Sequence, residues 1–175
     1  MAATLSAQLD IQPAREMFSC LTEAAFAAAQ RRALRKLGVW FKGQAARAVA
    51  KETGVPQKAL RPRLAFYFKT NEVGKVWFGI NAIPAARLGT PRQTRTGVSV
   101  GKFRFDKAWL ARSGRGAVFR RVGRDRLPIE VVTEDIEGEA RAAWHVHTAE
   151  VEARFLALLT QELNFEELKR NGRIT

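Results

Sequence analysis

From Ala14 to Glu52, small and apolar residues recur at three- and four-residue spacing, which commits the first third of the chain to helix. Asp10 and Pro13 mark the start, because proline is tolerated in a first helical turn. Phe18, Leu21, Ala25, Ala28 and Ala29 form one stripe, and Leu34, Leu37, Phe41, Ala45 and Val49 a second. Gly38 and Gly43 weaken the middle, so one bent helix or two helices are expected up to about Glu52. The alanine-rich stripe lets a neighbouring element come close. Cys20 falls among apolar residues and is expected to be a packed, inert thiol. In KETGVPQKALRPRL, Gly54 caps the helix and Pro56 opens a short second one with Leu60 turned inward. Residues 44–62 therefore match a helix-turn-helix, or more plainly an ordinary helical corner. No third helix or base-reading Asn/Gln set accompanies them.

Strand signals follow. RLAFYFK (63–69) and KVWFGIN (75–81) are β-branched or aromatic, and Thr70 to Gly74 is a turn, so the two form a hairpin. IPAARLG (83–89) leaves the sheet. Residues 87–97 read as a mobile basic loop, and 98–105, 116–122 and 127–133 as further strands around a tight GRDR turn. Phe66, Phe68, Trp77, Phe78, Phe103 and Phe119 alternate with polar neighbours only in part, which suggests that some strands are covered on both faces. Glu134 to Asn171 reads as a long acidic helix, broken near Gly138, with a stripe of Trp144, Val151, Phe155, Leu158 or Leu159 and Leu163. The fold class is α+β: a mostly antiparallel sheet packed with a long N-terminal helix and a long C-terminal helix. A chain of 175 residues is expected to be one domain: an arm (1–13), a helical region (14–62), a sheet with its basic loop (63–133) and the C-terminal helix (134–171).

Charge is distributed unevenly. Residues 1–60 hold 9 Lys/Arg against 4 Asp/Glu, residues 61–126 hold 16 against 3, and residues 127–175 hold 5 against 10. The middle third thus equals the whole excess of +13. A basic block beside an acidic end suits a polyanion on one side and protein, or copies of the chain, on the other. No run approaches 18 apolar residues, and the N-terminus lacks a basic start followed by an apolar block. No membrane span or signal peptide is expected. Cys20 is the only cysteine, which excludes an intrachain disulfide and suggests cytosolic synthesis.

The polar inventory argues against an enzyme and a cofactor. His145 and His147 are the only histidines, and their spacing puts them on different sides of a helix. His147 and Glu150 share a face, but two ligands make no structural zinc site. No phosphate-cradling G-x-x-x-x-G-K-[ST] loop and no G-x-S-x-G elbow occurs. Asp106, Asp125 and Glu130 could be imagined as a nuclease cluster, but they lack a D…E-x-K arrangement and read better as ion-pair partners of nearby arginines.

Residues 76–133 carry a more specific pattern. A strand leads into IPAARLG, a basic glycine-containing insertion follows, and KFRFDKAWLARSGRGAVFRRVG and GRDRLPIEVV complete it. The order resembles the minor tail protein Z family of lambda-like phages, the tail-completion proteins. Upstream, QAARAVAKETGVPQKALRPRL is similar to that family's helix, turn and basic helix. The resemblance covers roughly residues 24–165.

The resemblance implies a structural protein that completes the head-proximal end of a phage tail, without catalysis or cofactor. It implies a ring, with six copies the expected number, in contact with the tail terminator or tail tube protein, the head–tail connector proteins and the genomic DNA end. Its expected location is the virion, after assembly in the host cytoplasm. Arg92, Arg95, Lys102, Arg104, Arg120, Arg121 and Arg124 are the expected DNA-facing residues, acting by phosphate attraction without sequence reading. As neighbours on a strand, Arg120 and Arg121 should point to opposite faces. Phe18, Ala25, Ala28, Glu162, Glu166 and Glu167 are the expected subunit contacts. Alternatives of other classes are a nucleic-acid-binding module using the 44–62 corner, and a small nuclease.

Overall fold

The structure, a computed structural model, describes residues 2–5, 11–69, 73–111, 116–144 and 150–172. The elements run β1 (Ala2–Leu5), α1 (Gln12–Met17), α2 (Glu23–Thr53), α3 (Gln57–Leu60), β2 (Leu64–Phe68), β3 (Gly74–Gly79), β4 (Ile83–Pro84), β5 (Pro91–Gln93), β6 (Gly97–Val100), β7 (Phe103–Asp106), β8 (Ala108–Leu110), β9 (Val118–Arg121), β10 (Ile129–Val131), β11 (Thr133–Glu134), α4 (Glu137–Trp144) and α5 (Val151–Arg170). The fold is α+β, with two long helices and small antiparallel sheets.

The first helical run breaks at Phe18–Thr22, not at Gly38 or Gly43. Thr22 is the cause. Its hydroxyl accepts the N–H of Ala25 at 3.3 Å and starts α2 afresh. Gly38 instead serves packing, since a Cβ there would lie 2.4 Å from the Phe66 ring of β2. α2 ends at Gly54, whose φ of 67° is left-handed. Pro56 then precedes α3, and Leu60 is buried.

The expected single sheet divides into smaller ones. β1, β3 and β2 form one sheet in that order, β5–β6–β7 a second, β10–β9–β8 a third, and β4 pairs with β11. Five further expectations need correction. The arm at 1–13 contributes β1, which pairs Ala2 with Gly79 and Leu5 with Val76. The stretch expected as a mobile basic loop, 87–97, contains strand β5, paired with β6 from Pro91↔Val100 to Gln93↔Val98. IPAARLG does not leave the sheets entirely, because Ile83 and Pro84 pair with Glu134 and Thr133. The expected 98–105 strand is really a hairpin of β6 and β7 around Gly101 and Lys102. The C-terminal helix is two helices, and Gly138 lies inside α4. His145 and His147, like Asp10 and the hairpin turn at 70–72, lie outside the described residues.

Trp144 of α4 is the centre of the core. Its indole meets Phe41 of α2 edge-on at 5.1 Å and stacks on Phe78 of β3 at 5.5 Å. The stripe Leu34, Leu37, Phe41, Ala45 and Val49 is buried throughout, as are Phe155, Leu158, Leu159 and Leu163 of α5. Cys20, expected to be packed, is exposed. β2 and β3 are not covered on both faces. Leu64, Phe66 and Phe68 turn toward α2, while Ala65 and Tyr67 face outward.

Candidate nucleic-acid interface

Arg92, Arg104, Arg120 and Arg121 of the middle third sit on two adjoining sheets. On the first, the pairing register sets Arg92 of β5 opposite Ser99 of β6, and Ser99 opposite Arg104 of β7. Directly opposed residues share a face, so Arg92, Ser99 and Arg104 form a row across three strands. Neighbouring strands lie about 4.8 Å apart, which leaves both guanidinium groups able to reach one anion above Ser99. Arg95 occupies the tip of a tight turn. The Thr94 N–H and hydroxyl donate to the Gly97 carbonyl at 2.7 and 2.9 Å, and the Gly97 N–H returns a bond to the Thr94 hydroxyl at 3.1 Å. A shallow depression of about 320 Å³ opens on this sheet, lined by Thr94, Thr96, Ser99, Arg104 and Asp106 among others.

Gln93 ties the two sheets together. Its amide nitrogen donates to the carbonyls of Gly97 at 2.8 Å and Ala108 at 3.3 Å, and its oxygen accepts the Leu110 N–H at 3.0 Å. On the second sheet Arg120 and Arg121 do point apart. Arg120 bonds Glu130 at 2.7 Å, and Arg121 lies over the Trp109 ring at 5.8 Å. Every residue from Arg120 to Val131, Arg124 included, is exposed. Lys102 stands apart from the others, lying against the C-terminal end of α2 at Gly54 and near the Phe103 ring at 5.3 Å. Among the described residues, no carboxylate forms an ion pair with Arg92, Arg95, Arg104 or Arg124.

Of the three acids considered as a nuclease cluster, Glu130 is the partner of Arg120. No three His, Cys, Asp or Glu among the described residues are placed to hold a metal ion. Nor is any helix among them long and apolar enough to cross a membrane. α3, with Ala59 and Leu60 buried, continues only through a 3-10 turn to Arg63, so its inward face is taken up by the core and about two turns remain to present to a groove. The corner at 44–62 is a helical corner.

Of the expected subunit contacts, Phe18 and Glu162 need correction, because both are buried. Glu162 is buried and spent within the chain. It meets Arg32 Nε at 2.5 Å and Lys36 Nζ at 2.5 Å, while Glu166 takes Arg32 Nη2 at 2.5 Å. Burial alone would push the Glu162 carboxyl up. The hydrogen bonds and charges of Arg32 and Lys36 outweigh burial and hold it below the usual range. The acidic helix thus neutralises the basic face of its own α2. Phe18 is in the core, Ala25 and Glu167 are half-buried, and Ala28 is exposed. A second acidic group differs. Burial, with Glu139 and Asp135 nearby, pushes the Glu134 carboxyl up, and the charge of Lys102 offsets this only in part.

Sequence reasoning missed Ser99 and Gln93. The signal for both was register: a three-strand meander with tight turns fixes which residues oppose one another, and the polar, basic composition of 91–93 hides β5 as loop. The chain matches no family model, no curated protein and no solved structure.

Proposed function

We propose that the chain is a structural phage tail protein that completes the head-proximal end of the tail as a ring and holds the DNA end without reading its sequence. The observation that carries the DNA contact is the Arg92–Ser99–Arg104 row, with Arg95 beside it on a turn tip. Guanidinium groups with no ion pair among the described residues, held by strands at fixed spacing, attract phosphate and release counterions. They offer no groove-reading element, so the contact is to backbone and not to base edges. The tail assignment comes from the resemblance of IPAARLG, KFRFDKAWLARSGRGAVFRRVG and GRDRLPIEVV to the tail-completion family. In this reading the protein resides in the virion, works without catalysis or cofactor, and has the terminator or tube protein and the connector proteins as neighbours.

The test pairs electron microscopy of the purified protein with duplex binding across salt concentrations. Rings are expected, together with duplex affinity that ignores sequence and falls steeply with salt. Arg92→Ala with Arg95→Ala should leave rings intact and weaken duplex binding. A monomer that binds no duplex at low salt would sink the proposal.

A further inference from the structure

We infer that the outer face of the β1–β3–β2 sheet is a stacking platform for single-stranded nucleic acid. The inner face of this sheet is occupied, since Phe66, Phe68 and Phe78 pack toward α2 and α4. The outer face still carries two large aromatic side chains, Tyr67 at 43% and Trp77 at 38% exposure. Neither is needed to fill the core. The register pairs Ala65 with Trp77 and Tyr67 with Lys75, so Tyr67 and Trp77 are diagonal neighbours on one face, with backbones about 7–8 Å apart. Stacked bases rise 3.4 Å per step, so this spacing suits two bases drawn apart, each laid on its own ring.

The Trp77 indole is also fixed in place. A Cβ at Gly79 would lie 2.8 Å from one ring atom and 3.3 Å from a second, so the ring lies across the bare backbone of that glycine. The small side chain of Ala65 leaves room beside it. Cations accompany the rings: Lys75 stands opposite Tyr67, Lys69 is exposed just beyond β2, and neither β2 nor β3 contains an acid. Two exposed π-faces interleaved with cations, on strands β2 and β3 that carry no acid, suit a single strand, and half-exposed Val73 lies at the turn end of this face. Every base has a π-face, so the platform is indifferent to sequence.

This inference deepens the proposed contact with a DNA end and rests on it only for the choice of DNA over RNA. The test uses the full-length chain, a fluorescein-labelled oligothymidylate of about 20 nucleotides and a duplex of equal length, read by anisotropy. Trp77→Ala and Tyr67→Ala should each weaken oligothymidylate binding about 5- to 150-fold while leaving duplex affinity within about twofold. Trp77→Phe, which keeps a ring, should lose much less. If Trp77→Ala fails to fold, Tyr67→Ala and Trp77→Phe decide. Unchanged oligothymidylate affinity in the folded variants overturns the inference. So does a wild-type chain that binds duplex alone, which leaves the proposed function standing. A chain that binds neither ligand sinks both. Dissociation of an oligomer by Trp77→Ala would make this face a subunit contact and overturn the platform.

Discussion

Lys102 lies across Gly54, at the point where the longest helix ends and the β6–β7 hairpin turns. A Cβ on residue 54 would sit 1.7 Å from the Lys102 ammonium nitrogen and 2.0 Å from its Cε. The glycine is required for its φ of 67°, and any side chain there would also push the flexible end of Lys102 aside. The lysine places positive charge at the negative end of the helix macrodipole.

Gly54→Ala should therefore destabilise the protein by about 1–2 kcal/mol from backbone strain, with more from displacing Lys102. Lys102→Ala in the same chain should recover the second part but not the first. Urea denaturation of the two single variants and the double variant measures the coupling, and strict additivity would contradict the contact.

Glu162→Gln removes a buried carboxylate that answers Arg32 and Lys36. Breaking a buried pair costs about 3–5 kcal/mol, but Arg32 and Lys36 are 37% and 51% exposed, so screening reduces the expected loss to about 1–3 kcal/mol. The carboxyl is held below its unfolded value, so its contribution is present above about pH 4.3 and vanishes as pH falls through the folded pKa. The stability gap between wild type and variant should close as pH drops below about 4. A constant gap from pH 7 to pH 3 would contradict the ion-pair account.

Glu134→Gln should act in the opposite sense. Burial and like charge raise this carboxyl, so its ionised form opposes folding at neutral pH. The amide should stabilise by a few tenths of a kcal/mol at pH 7, and the gain should fade as pH falls and the wild-type carboxyl protonates. Thermal melts at both pH values check the sign.

Arg92→Ala with Arg104→Ala should reduce the slope of log affinity for duplex against log salt by about 2, near 0.9 per lost phosphate contact. Arg120→Ala should change it less, because Glu130 already holds that guanidinium at 2.7 Å.

Much of the scaffold was legible in the residues. The stripe from Leu34 to Val49, the Gly54–Pro56 corner and the β2–β3 hairpin follow from spacing and turn chemistry that tertiary contacts did not override. The separation into small sheets was not legible. β4 and β11 are two residues each, and strands that short carry no alternation to read. Glu162 was misread as surface because it is charged, although its position was informative. It lies four residues after Leu158 and three after Leu159, on the buried stripe, and Arg32 and Lys36 are one turn apart on the facing helix. Of the candidate site, composition located the arginines, but only the pairing of β5, β6 and β7 put Ser99 between two of them.

The exposed stretch from Arg120 to Val131 has a consequence for proteolysis. It contains Arg120, Arg121, Arg124 and Arg126, so trypsin at low dose should cut there early. The nick would separate a piece bearing α2 from a piece bearing α4 and α5. Those helices remain joined by Trp144 between Phe41 and Phe78, and by Glu162 against Arg32 and Lys36. The two fragments should run apart in denaturing gels yet elute together under native conditions.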